Sequence, residues 1–89
     1  MRIDLLLNKL CLVKTRSIAK NACDKNLVTI NEHKAKASQL VKSGDKISIA
    51  LGQYKTVIEI TAIPEGNVAK KDSGNYYKII TRTKIDINE

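Results

Sequence analysis

Hydroxyls and cations alternate in Lys14-Thr15-Arg16-Ser17-Ile18-Ala19-Lys20, the segment of this 89-residue chain best suited to chemistry. Thr15 or Ser17 can cap a helix that begins there. The first turn of a helix offers unpaired backbone N–H groups at the positive end of its dipole, an arrangement that favours a phosphate. Arg16 and Lys20 stand four apart and share a helix face. Arg16 can grip a phosphate with its planar fork, with Lys14 and Lys20 as point charges beside it. A solvated basic face would carry the same residues, so the segment alone leaves both readings open. A second pair, Lys34 and Lys36, is spaced to project from one side of an extended stretch ending at Ser38. Protective lysines on an edge strand would look alike. Lys70-Lys71 sits in a polar loop, where solubility is reason enough for it.

Other chemistry is poorly provided for. His33 is the single histidine, in a polar stretch without a neighbouring ligand, and reads as a turn residue. Cys11 and Cys23 lie in apolar helical patterns without CxxC spacing and read as small buried hydrophobes. The chain has no clustered carboxylates beyond ordinary turns and strands and no glycine-rich phosphate loop. Neither a catalytic residue, a metal nor a cofactor is expected.

Charge says more. Sixteen Lys and Arg against nine Asp and Glu leave +7, which points to a polyanionic partner. Residues 1 to 46 hold ten of the basic residues and four of the acids, a balance of +6, so the anion-seeking half is the N-terminal one. With no Trp, no Phe and three tyrosines, Tyr54, Tyr76 and Tyr77, a sheet that stacks bases on paired aromatics lacks its side chains. RNA would be held by backbone and shape. The short run Leu5-Leu6-Leu7 is flanked by Asp4, Asn8 and Lys9 and fits neither a signal peptide nor a membrane span. A cytoplasmic chain is expected.

The elements that position these residues follow from periodicity. Ile3, Leu6, Leu7, Leu10 and Cys11 have the spacing of a helix with one buried face and predict a helix over 3 to 12. Ile18, Ala19, Ala22 and Cys23 predict a second, ending near Asp24 to Asn26. Leu27 to Ile30 then reads as a strand, Asn31-Glu32-His33 as a turn and Lys34 to Lys36 as a short return. Gly44-Asp45 is a turn and Ile47-Ser48-Ile49 a strand. A longer strand over Thr56 to Ile63 ends at Pro64, residues 64 to 75 form a polar loop, and Tyr76 to Thr83 returns. The expected fold is α+β, two N-terminal helices on a small antiparallel sheet with a C-terminal β-hairpin extension. Ile58, Ile60, Ile79 and Ile85 are expected to turn that hairpin toward the core.

Arg2-Ile3-Asp4, Lys14 to Lys20, Val28-Thr29-Ile30-Asn31, Lys36-Ala37-Ser38, Val41 and Gly44-Asp45-Lys46-Ile47 form an ordered set that resembles the S-four RNA-binding domain, the αL motif. The short length and the Leu51-Gly52-Gln53-Tyr54 link into a hairpin resemble its ribosome-associated heat-shock branch and, within it, the small bacterial quality-control members. The resemblance implies an RNA-binding motif over 1 to 50, with 51 to 89 completing the same single domain. It implies a non-enzymatic factor on large ribosomal subunits obstructed by peptidyl-tRNA, in contact with large-subunit rRNA and tRNA. Such a factor supports alanine tailing of the stalled chain by a partner NEMF-family protein and is monomeric off the ribosome. The arginines it marks are Arg2 and Arg16, supported by Lys14, Thr15, Ser17, Lys20, Lys36 and Ser38; Lys9 and Lys34 complete the expected RNA-binding set. Two positions depart from the family's pattern: Leu5 stands where a Lys is usual, and Glu32 follows Asn31 where a Gly is usual. A module that targets a separate RNA-modifying enzyme is the alternative, and a binder of DNA or of anionic membranes a third.

Overall fold

A computed structural model describes residues 1 to 84. Ile85, assigned above to the inner side of the hairpin, lies outside the described residues. The chain order is α1 (Ile3–Lys9), α2 (Arg16–Asp24), β1 (Val28–Ile30), β2 (His33–Lys34), β3 (Lys46–Leu51), β4 (Tyr54–Ile60), a 3-10 helix (Lys70–Asn75) and β5 (Tyr77–Lys84). The five strands form one antiparallel sheet in the order β2-β1-β3-β4-β5. The α+β architecture of two helices and an antiparallel sheet is the one expected.

Both helices end by the same device. After α1, Cys11 takes a left-handed backbone (φ 60), its N–H bonds the Asn8 carbonyl, and the Leu12 N–H reaches back to Leu7. After α2, Asn26 does the same (φ 61), its N–H bonding Cys23 while the Leu27 N–H reaches Ala22. These are Schellman closures, which satisfy the last carbonyls of a helix. Asn is a common left-handed residue and marks the second stop in the sequence. Cysteine does not mark the first, so the first helix was expected to run to residue 12 and stops at Lys9. The early stop leaves Cys11 exposed, not buried.

Ile3, Leu6, Leu7 and Leu10 of α1 and Ala19, Ala22 and Cys23 of α2 pack with Val28, Ile30, Ile47, Ile49, Ile58 and Ile60 of the sheet in one core. Two expectations about the core fail. Ile18 is 40% exposed, because the buried stripe of α2 is carried by its small residues Ala19 and Ala22, which let the helices approach closely. Ile79 is 55% exposed and Ile80 43%, since every residue of β5 after Tyr77 faces solvent. Ile79 pairs with the buried Ile58, but none of the described residues buries it. The hairpin thus extends the sheet without closing over the core, and the molecule measures 43 × 23 × 23 Å. Tyr76 and Tyr77, partly buried, pack against the core.

The first hairpin turn has positive φ at both Asn31 (51) and Glu32 (72), the requirement of a type I′ turn. Glu32 therefore occupies the position where glycine is usual without changing the turn type. As a result His33 falls in the strand rather than in the turn, opposite Ile30. A clamp holds the turn: Asn31 Nδ2 donates to Asp45 Oδ1 (3.1 Å), the Lys46 N–H donates to Asn31 Oδ1 (3.0 Å), and the Lys42 N–H donates to Asp45 Oδ2 (3.0 Å).

Candidate nucleic-acid interface

The N-terminus runs beside residues 37 to 41. The Ile3 N–H bonds the Gln39 carbonyl (2.8 Å), the Val41 N–H bonds that of Met1 (2.9 Å), and Arg2 forms a bridge with Leu40. This seam sets Arg2 next to the Lys36–Ser38 segment. On its other side Arg2 meets α2. Asp4, 2% exposed, accepts from Arg2 Nη2 and from Arg16 Nε, both at 3.2 Å and both on Oδ2, while its Oδ1 accepts from the Leu5 N–H at 2.7 Å. Both arginine side chains remain 46% exposed. Each commits one of its five N–H donors to Asp4, so most of each fork stays available to an anion.

Arg2, Asp4, Arg16, Ser17 and Lys20 line a shallow cleft of about 270 Å³. Arg2 and Lys20 continue into a second of about 580 Å³, which adds Lys34, Lys36 and Ser38 over a floor that includes Cys23, Ala35 and Ala37. The two basic clusters of the sequence are therefore one surface, joined through Arg2 and Lys20. Asp24 also borders the larger cleft. The Cys23 thiol is pushed above its ordinary value by burial, with the Asp4 and Asp24 carboxylates adding to the effect, so at neutral pH it is a neutral thiol in the cleft floor.

Seven of the ten expected residues meet here: Arg2, Arg16, Ser17, Lys20, Lys34, Lys36 and Ser38. The other three lie apart from the clefts. The Thr15 hydroxyl caps α2, accepting from the Ile18 N–H at 3.1 Å. Lys14 lines neither cleft, and its carbonyl accepts from Asn8 Nδ2. Lys9 Nζ donates to the Gly66 carbonyl at 3.0 Å and ties α1 to the loop before the 3-10 helix. Sequence reasoning gave Asp4 no role, although Arg2-Ile3-Asp4 was in view, because the partner that explains it, Arg16, is twelve residues away. Among the described residues no group of three or more His, Cys, Asp or Glu is placed to hold a metal, and no helix is long and apolar enough to cross a membrane.

The chain is similar to known proteins along its whole length. The family model described as the S4 domain matches residues 1–47. The chain is 35% identical over 89 residues to the RQC P-site tRNA stabilizing factor of Halalkalibacterium halodurans, covering all of both chains. It is 40% identical over 88 residues to the protein of the same name from Helicobacter pylori, covering 94% of this chain and 99% of that one. Among solved structures, the trimeric structure of Vibrio cholerae Heat Shock Protein 15 superposes with a TM-score of 0.83 at 28% identity, covering 89% of this chain and 80% of that one. The chain belongs to the S4-domain family, in the group of the RQC P-site tRNA stabilizing factors.

Proposed function

We propose that this protein is a non-enzymatic RNA-binding factor of ribosome-associated quality control that acts in the cytoplasm. It binds large ribosomal subunits still obstructed by peptidyl-tRNA, contacts rRNA and tRNA, and supports alanine tailing of the stalled chain by a NEMF-family partner. Residues 1 to 50 form the RNA-binding motif, the rest of the chain completes the same domain, and the protein is a monomer off the ribosome. The observation that carries the reading is the buried Asp4, which holds Arg2 and Arg16 as a half-exposed pair at the junction of two basic clefts. Fixed guanidinium groups facing solvent suit the phosphates of a folded RNA, and the similarity to factors named for P-site tRNA stabilisation supplies the setting.

In-cell crosslinking with mapping of the RNA sites tests this directly. Hits concentrated on large-subunit rRNA and tRNA are expected; hits scattered over mRNA overturn it. If about five phosphates are engaged, log affinity falls with log salt at a slope of roughly −3.5 to −4.5.

A further inference from the structure

A second feature lies on the hairpin, away from the basic clefts. The Arg82 guanidinium carbon sits 4.7 Å from the centroid of the Tyr54 ring, which is 42% exposed. These two side chains, with Thr56, border a crevice of about 230 Å³ whose remaining lining is Leu12, Ile49 and Leu51. Its volume falls below the roughly 300 Å³ at which pockets for drug-sized ligands begin, so it suits something smaller. The walls are an aliphatic floor, a planar cation stacked on an aromatic ring, and a hydroxyl able to donate and accept. Such walls suit a flat, polar-edged ring next to a negative charge. Lys84 pairs with Tyr54 across the strands and shares its face, which adds positive charge beside the crevice.

We propose that the Tyr54–Arg82 crevice is a subsite for one unstacked RNA base, which lies against the Arg82–Tyr54 pair while its phosphate meets the hairpin cations. The proposal rests on the RNA-binding reading above and adds to it a contact to a base. Arginine planes and tyrosine rings are both platforms for splayed bases, and one such contact does not require the paired aromatics that the sheet lacks.

The test is a methyl NMR titration of the whole protein with hexa-adenylate, against an abasic hexamer of equal charge. Ring-current shifts at the methyls of Leu12, Ile49, Leu51 and Thr56 are expected with hexa-adenylate and not with the abasic strand. Arg82→Lys keeps the charge, loses the plane, and should weaken hexa-adenylate binding by roughly 5-fold or more, with the abasic strand unaffected. Equal crevice shifts from both strands, or shifts confined to residues around Arg2 and Lys36, overturn the subsite and leave the RNA-binding reading standing. No perturbation anywhere by either strand also overturns the subsite, while the reading as a binder of folded RNA is tested by the crosslinking above.

Discussion

Asp4 and Asp45 are both buried acids in the N-terminal half, yet they are satisfied in opposite ways. Asp45 accepts from the Lys42 backbone N–H and the Asn31 side-chain amide, neutral donors that stitch a turn to a loop. Asp4 accepts from one backbone N–H and from two guanidinium groups that keep nearly half their surface in water. A carboxylate enclosed by neutral donors holds the chain, whereas one that grips exposed cations presents them. Either of these half-exposed pairs taken singly, with the other still holding Asp4, contributes little stability, about 0–1 kcal/mol. Their main effect is to lower the entropy cost of placing two long side chains on a ligand.

The contrast breaks most visibly at the cations. Replacing both arginines, Arg2→Ala with Arg16→Ala, removes charge-assisted bonds worth roughly 1.5–3 kcal/mol each, so affinity for large subunits should fall by at least roughly 100-fold. The thermal midpoint of the same variant should also fall, by roughly 5–15 °C, because the buried Asp4 carboxylate is left with only the Leu5 N–H, so binding is measured well below that midpoint. Asp45→Ala should lower stability alone. It removes two hydrogen bonds to a buried carboxylate, costs roughly 2–3 kcal/mol and lowers the melting midpoint by roughly 10–20 °C, with binding measured well below the midpoint unchanged. Asp4→Asn stands between them. Freeing two side chains costs roughly 0.5–1.5 kcal/mol apiece on binding, so affinity should drop roughly 5- to 150-fold while both arginines remain present. A drop no larger than that of a remote surface variant would erase the distinction between the two acids.

The smallest effect concerns the thiol below the arginines. Because burial raises the Cys23 pKa, the folded protein binds the thiol proton more tightly than the unfolded chain does. Its contribution to stability is intact below the ordinary value of 9.0 and is lost as pH rises through the folded value. Denaturation series in alkaline buffer should show this decline, and Cys23→Ala should remove that part of it. At neutral pH iodoacetamide should modify the exposed Cys11 and spare Cys23.

What could be read from residues alone follows from range. Thr15 as a cap, the Gly44-Asp45 turn and the Ile47-Ser48-Ile49 alternation are local signals, and the structure contains all three. The stop of α1 was hidden because a cysteine adopts the left-handed backbone usually left to glycine. The exposure of Ile79 depends on what lies across from it, which an alternating pattern does not record. The site divides in the same way. Its cations were visible as types and spacings, but the union of the two clusters needs the seam between the N-terminus and residues 37 to 41. Asp4 needed both its neighbour in sequence and its neighbour in space.

Co-sedimentation of Arg16→Ala with purified, obstructed large subunits, read beside its thermal midpoint, is the most direct test of the arginine pair as the RNA grip. The account predicts that the variant leaves the subunit fraction while its midpoint stays close to that of the unmodified protein. Retained sedimentation, or a loss accompanied by a collapse in stability, would contradict it and assign Arg16 to the fold.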